Sequence, residues 1–212
     1  MIGAVLFDCD GVLADTELLV NQLVAAELTA RGWPMDAAEA RRQFLGLAWP
    51  AMRPLVEART GPLAPDWERA FGHKIAELLA RETMPVEGAL DAVRQVAARL
   101  PVAVASNSSR EELATKMARL GLAEVFGPRV FSFEDVARPK PAPDIYLAAA
   151  RACGVEPARC VVVEDSVTGV RAGRAAGCIV MGLAHETPAE ALHAAGAIPF
   201  FGMADLPELL GL

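Results

Sequence analysis

The sequence predicts an α/β fold: a doubly wound parallel sheet, Rossmann-like in its core, with an inserted α-helical cap subdomain. Three observations predict it. Short runs rich in Val, Ala and Cys are apolar almost throughout, as strands covered on both faces are. From Leu90 to Leu210 such runs alternate with helical patterns, the mark of parallel strands joined by crossover helices. Between about Asp15 and Thr83 no strand pattern occurs, and the stretch is too long for an ordinary crossover.

The first strand is expected over Gly3–Phe7. Four helices follow, at about Thr16–Arg31, Ala37–Phe44, Ala51–Arg59 and Pro65–Arg81, punctuated by Pro34, Pro50, Gly61, Pro62 and Pro85. Asp15, with Glu17 in the first turn, marks the start of the first of them. Strands are then expected over Val102–Ala105, Arg129–Ser132, Cys160–Val163 and Cys178–Gly182. Helices are expected near Gly88–Arg99, Arg110–Leu120, Pro143–Cys153, Gly169–Ala176 and Pro188–Ala195. The organisation is therefore a core of residues 1–14 and 85–212 and a helical cap of residues 15–84.

The 212 residues suit one domain with an insertion, and 53% hydrophobic residues allow a large core. Lys plus Arg is 20 against 27 Asp plus Glu, a net charge of −7, which speaks against general nucleic-acid binding. No apolar run approaches the ~18 residues of a membrane helix, and the amino-terminal run lacks a basic lead for a secretion signal. Cys9, Cys153, Cys160 and Cys178 have neither CxxC pairing nor metal spacing, and read as reduced thiols of a cytoplasmic protein. Of the basic residues 17 are Arg and three are Lys: Lys74, Lys116 and Lys140.

In a doubly wound sheet, ligands sit beyond the carboxyl ends of the strands. The first strand ends in DCDG, the second in ASNSS and the fourth in VVVEDS, and a later loop reads RPKPAPD. Period-2 geometry puts Asp8 and Asp10 on one side and Cys9 on the other, and Gly11 permits a sharp turn. Two close carboxylates raise each other's pKa unless a cation shares the site. They form either a solvated turn or, with Glu164 and Asp165, a set of hard oxygen ligands against one lysine, which suits Mg²⁺. Ser106, with Asn107 and turn N–H groups, either holds phosphate oxygens or caps the next helix. Lys140, between Pro139 and Pro141, is either a solvated loop lysine or a compact ammonium held stiffly for phosphate. Glu164, Asp165 and Ser166 are either helix-capping residues or part of the site. Four strand ends offering complementary groups to one cleft argue for a site more strongly than any one motif does.

The ordered set DCDGVL, Ser106, Lys140 and EDS resembles the haloacid dehalogenase-like hydrolase superfamily. It is most similar to the helical-cap branch that includes β-phosphoglucomutase, phosphoglycolate phosphatase and sugar-phosphate phosphatases. RPKPAPDIY and VVEDSVTGVRAGRAAG extend the match from Ile2 to about Gly182. The resemblance implies Asp8 as nucleophile, Asp10 as acid/base, and Ser106 and Lys140 as phosphate ligands. Gly11 and Asn107 belong with the phosphate-binding turn. Mg²⁺ is implied on Asp8, Asp10 (through its backbone carbonyl) and Asp165, with Glu164 either a ligand or a support for Lys140. The expected reaction is hydrolysis of a small phosphomonoester, such as a sugar phosphate or sugar-acid phosphate, through an aspartyl-phosphate. The chain is expected to act as a monomer on a phosphorylated metabolite, without nucleic acid or membrane.

Substrate choice is expected to lie in the cap. Arg53, His73 and Lys74 are its polar candidates, each either a solvated helix charge or a substrate contact, with Arg53 and Lys74 the expected binders. Trp33, Trp49 and Trp67 read as cap core. A dehalogenase proper lacks the second aspartate, and phosphonoacetaldehyde hydrolase needs a Schiff-base cap lysine and carries alanine at the place of Asp10. A mutase of this branch carries a cap histidine, whose place falls at Val20. It also carries an arginine three residues after a glycine; after Gly46 that place falls at Trp49, with Arg53 one turn on as a substitute. A binding protein that kept the fold without catalysis is the remaining alternative.

Overall fold

The computed structural model describes residues 1–45 and 47–212. The chain enters through β1 (Ala4–Phe7) and a two-residue strand, β2 (Ala14–Asp15). Four helices follow: α1 (Glu17–Ala30), α2 (Ala37–Phe44), α3 (Trp49–Thr60) and α4 (Trp67–Glu82). A second two-residue strand, β3 (Met84–Pro85), leads back. From there α5 (Ala89–Ala97), β4 (Val102–Ala105), α6 (Arg110–Arg119), α7 (Ala123–Phe126), β5 (Val130–Phe131) and α8 (Asp144–Ala152) alternate. The chain closes with β6 (Cys160–Glu164), α9 (Val167–Ala175), β7 (Ile179–Leu183), α10 (Ala189–Ala194), β8 (Ile198–Phe200) and α11 (Leu206–Leu209).

Six strands form one parallel sheet in the order β5-β4-β1-β6-β7-β8. Side chains alternate between two buried faces, as a strand's period of two requires. Val5, Phe7, Val102, Val104, Val161 and Val163 enter one apolar cluster. Ala4, Leu6, Ala103, Ala105, Val162 and Val180 enter the other. Both faces are covered by helices, which is why the strands read as continuous apolar runs. Each fully buried Val or Phe there contributes on the order of 1.5–3 kcal/mol. Cys9 falls on the Val5/Phe7 face, opposite in parity to Asp8.

Helices α1–α4 have an apolar centre of their own, built on Leu28, Phe44, Val56, Trp67, Phe71 and Ile75. Trp67 stacks on Phe71 at 5.4 Å between ring centroids, and Trp49 meets both edge-on. The two passages between these helices and the sheet lie side by side, because β2 and β3 pair antiparallel, Ala14 opposite Pro85.

Several boundaries differ from the sequence expectation. Asp15 lies in β2 and Thr16 is the residue before α1, but the Thr16 hydroxyl does not cap the helix. Helix α3 begins at Trp49, two residues early, because Pro50 fits the first turn, where its missing N–H costs nothing. β8 and the β2–β3 ribbon were not expected. Two or three residues carry no periodicity, and Pro199 marks β8 as an edge strand. No helix among the described residues is long and apolar enough to cross a membrane.

Candidate active site

Strands β4, β1 and β6 are neighbours, and Phe7 is level with both Val104 and Val163. The residues just beyond them therefore meet at one edge of the sheet: Ser106 after β4, Asp8 and Asp10 after β1, Asp165 after Glu164 at the end of β6. The Asp8 N–H donates to the Val163 carbonyl at 2.9 Å, which holds the first of these turns to the sheet.

Lys140 reaches this edge from the loop before α8. Asn107 ties that loop down: its Oδ1 accepts the Lys140 N–H at 3.0 Å, and its Nδ2 donates to the Lys140 carbonyl at 3.2 Å. The buried ammonium donates to Asp8 Oδ1 at 2.6 Å and to Glu164 Oε1 at 2.7 Å. It also lies 4.8 Å from the centre of the Tyr146 ring. Asn107 thus acts on the lysine's loop, a role that its position in the turn did not reveal.

Glu164 is fully buried and both of its oxygens are engaged. Oε1 also accepts the Tyr146 hydroxyl at 3.0 Å. Oε2 accepts the N–H groups of Asp165 and Ser166 and the Ser166 hydroxyl. Ser166 caps α9 by accepting the Gly169 N–H. A Cβ at Gly169 would overlap the Glu164 carboxylate, so glycine is required there. Of the two roles open to Glu164, this geometry favours support of Lys140.

Asp8, Glu164 and Asp165 each place one carboxylate oxygen within 4.8 Å of the others. Burial, then the charge of Glu164, pushes Asp8 up to about 7, against the pull of Lys140. Burial, Glu164 and Asp8 push Asp165 well above the usual carboxylate range. Such a cluster of hard oxygens is suited to a divalent cation, with Asp8 and Asp165 supplying the uncommitted oxygens. Gly11 has φ +72°, and a Cβ there would overlap the Asp165 carboxylate. Gly11 serves the turn and the approach of Asp165, and it borders a different cavity from the one below.

Asp10 is not part of that trio; the two aspartates have separate partners. Lys116, buried in α6, donates to both Asp10 oxygens at 2.7 Å and to the Ser108 hydroxyl at 2.7 Å. Thr16 donates to Asp10 at 2.6 Å, Ser108 at 2.8 Å and Ser106 at 3.3 Å. Burial raises the Asp10 pKa, but the Lys116 charge and these hydrogen bonds more than offset it and hold the carboxyl at about 2. The expected balance of several carboxylates against one lysine is therefore corrected: the site holds two lysines. Sequence reasoning missed Lys116, Ser108, Thr16 and Tyr146. The rarity of lysine singled out Lys116, but nothing local links a mid-helix lysine to a strand end 106 residues away. Capping and the site divide the SNSS turn between them, because Ser109 makes a capping box with Glu112 while Ser106 faces Asp10.

A cavity of about 150 Å³ opens from Asp8, Asp10, Ser106 and Lys140 toward α1–α4, where Val20, Phe44, Leu47, Trp49 and Met52 line it. Arg53 and Lys74, expected to bind substrate, do not line it. Arg53 pairs with Glu57 and Glu68 and donates to the carbonyls of Leu63 and Ala64. Lys74 pairs with Glu27 at 3.2 Å. His73 meets Glu111 of α6 at 2.9 Å. Trp67 is cap core as expected, whereas Trp49 borders the cavity, 3.4 Å from Glu112. Gly46 lies outside the described residues.

A family model for haloacid dehalogenase-like hydrolases matches residues 2–177. The chain is 29% identical to the 6-phosphogluconate phosphatase of Escherichia coli, over 98% of this chain and 94% of the relative. It is 32% identical to the phosphorylated carbohydrates phosphatase of Thermotoga maritima, over 92% of each. The crystal structure of a family hydrolase from Deinococcus radiodurans, with bound phosphate and sodium, superposes with a TM-score of 0.76 at 33% identity. It covers 99% of this chain and 95% of that one.

Proposed function

The chain belongs to the haloacid dehalogenase-like hydrolases and is a phosphatase, and from that premise we propose that it is a Mg²⁺-dependent hydrolase of a small phosphomonoester, a sugar phosphate or similar metabolite, acting through an aspartyl-phosphate. The observation that carries this is the Lys140 bridge between Asp8 and Glu164, set beside Ser106 and Asp10 at three adjoining strand ends.

In this reading an Asp8 oxygen attacks phosphorus and the bond from phosphorus to the leaving oxygen breaks. Asp10, ionised in the free protein, takes up a proton from solvent as the anionic phosphoryl group binds beside it, and gives that proton to the leaving oxygen. It then takes one from the water that attacks the aspartyl-phosphate, which returns Asp8 and releases inorganic phosphate. Lys140 and Ser106 hold equatorial phosphoryl oxygens, and Glu164 and Asn107 aim Lys140. Asp8 and Asp165, with the Asp10 backbone carbonyl, would hold Mg²⁺, which supplies charge neutralisation at the phosphoryl group.

Residues 15–84 serve as the cap on a core of residues 1–14 and 85–212. Its contacts with the core include Trp49 with Glu112 and His73 with Glu111. Val20 and Trp49, where a mutase of this branch has histidine and arginine, offer no bidentate grip on a second phosphate. This favours transfer to water over return to a sugar. The test supplies β-glucose 1-phosphate, catalytic β-glucose 1,6-bisphosphate and Mg²⁺. Free phosphate is expected to form faster than glucose 6-phosphate, and the reverse order would overturn hydrolysis in favour of mutation.

A further inference from the structure

The charges around the cavity divide sharply by side. Five carboxylates line it: Asp8, Asp10, Glu17, Glu112 and Glu164. The two lysines that line it are already committed, Lys140 to Asp8 and Glu164, Lys116 to Asp10. Among the described residues, the side of the cavity formed by α1–α4 offers no cation at all. Its wall is Val20, Val24, Phe44, Leu47, Trp49 and Met52, interrupted by Asn21 and Glu17. Glu17 is held by Arg41 at 2.7 Å, and Arg41 itself stays outside the cavity. Arg53 and Lys74 are turned to Glu57, Glu68 and Glu27.

Glu112, in α6, is a buried carboxylate of the cavity lining, on the core side next to Trp49 of α3. Its Oε2 accepts the Ser109 N–H at 3.1 Å. Its Oε1 has one partner among the described residues, the Trp49 indole N–H at a long 3.4 Å. That oxygen can accept from a hydroxyl, whereas a second phosphate or a carboxylate beside it would meet like charge in a poorly solvated site. The apolar wall instead suits the C–H face of a compact ring or polyol, with few polar groups fixing its orientation.

We propose that the substrate is the monophosphate of an uncharged alcohol, a neutral sugar or polyol whose hydroxyl is accepted by Glu112, and that phosphorylated acids and bisphosphates are discriminated against. This rests on the hydrolase reading above and selects the neutral sugars from the sugar and sugar-acid phosphates expected from sequence.

The experiment compares kcat/KM within three matched pairs at fixed Mg²⁺. They are glucose 6-phosphate with 6-phosphogluconate, fructose 1-phosphate with fructose 1,6-bisphosphate, and phenyl phosphate with 4-carboxyphenyl phosphate. In every pair that is turned over, the neutral member is expected to lead by roughly tenfold or more, the scale on which one mismatched polar group discriminates. An anionic member hydrolysed as well as its neutral partner would overturn the proposal. Val20→Arg, which places a cation on the half-buried wall of α1, should narrow the gap within a pair; an unchanged ratio also counts against it. If no pair releases phosphate, the hydrolase reading itself has failed, a different result from a reversed preference. Glu112→Gln should raise KM for the neutral sugar phosphates more than for phenyl phosphate, which has no hydroxyl to offer, whereas a merely structural role would move both alike.

Discussion

The ammonium of Lys116 sits 2.7 Å from both carboxylate oxygens of Asp10, while Lys140 sits 2.6 Å from Asp8. Two aspartates separated by one residue thus have separate counter-charges, one from helix α6 and one from the loop before α8. Asp10 is pulled down to about 2 and Asp8 pushed up to about 7. In the metal-free protein this leaves Asp8 the more readily protonated of the two, so a cation beside Asp8 is needed to keep it ionised for attack.

Lys116→Met leaves Asp10 without its counter-charge. The expected loss of stability is about 3 kcal/mol, the low end for a broken buried pair, because Asp10 keeps some exposure. Its pH dependence has a definite sign. The folded Asp10 pKa lies below the ordinary 3.8, so the pair's contribution is present above pH 3.8 and fades as pH falls toward 2. Urea denaturation at pH 7 and at pH 3 checks this: the gap between wild type and variant should be smaller at pH 3.

Asp8→Asn and Asp10→Asn should each nearly abolish turnover, for different reasons. The amide at position 8 is a very poor nucleophile. The amide at position 10 cannot move a proton, a loss typically of ~10²–10⁴-fold. Phosphate release from a generic ester with Mg²⁺ is the assay. Near wild-type rates for Asp8→Asn would refute the covalent mechanism.

Chelation should remove activity and Mg²⁺ restore it, while Ca²⁺ should inhibit because its looser coordination misplaces Asp8. Asp165→Ala should weaken Mg²⁺ affinity more than it alters the fold. The raised Asp8 carboxyl gives this a pH signature. The metal-free folded protein holds a proton that the unfolded chain releases near 3.8, so its stability should fall as pH rises from about 4 to 7. A cation needs the deprotonated carboxylate, so the rise in Tm on adding Mg²⁺ should be larger at pH 8 than at pH 5. Equal shifts at both values would contradict the carboxylate site.

Two glycine substitutions should move stability in opposite directions. Gly169→Ala forces a methyl onto the Glu164 carboxylate, which must shift and take Lys140 with it. A loss of about 1–3 kcal/mol, typical of overpacking, and a fall in kcat are expected. Gly72→Ala, mid-helix in α4, meets nothing within 4 Å and should gain about 0.5–1 kcal/mol from backbone entropy. Thermal melts and steady-state rates read both.

Most of the sheet and the four cap helices were legible because burial on both faces leaves an apolar run, and an amphipathic helix leaves a period. Those signals are local. Helix α2, for example, has the expected ends, Ala37 and Phe44, because Asp36 caps it by accepting the Glu39 N–H within one turn. The strand-end residues Asp8, Ser106 and Glu164 were legible for a related reason: the sheet rule places functional groups at carboxyl ends, and each sits directly after an apolar run.

What tertiary structure alone decided was which charges meet. Lys116 and Tyr146 lie inside helices, and nothing in their neighbourhoods of sequence says that one faces Asp10 and the other Glu164. Arg53 and Lys74 had the right chemistry for an anionic substrate, but the packing of α3 and α4 turned them to Glu57, Glu68 and Glu27. Whether a charged side chain serves a site or its own helix depends on orientation about the helix axis and on a partner tens of residues away. Composition and period carry neither, so which side chains of α1–α4 line the cavity appeared only once those helices were packed over the sheet.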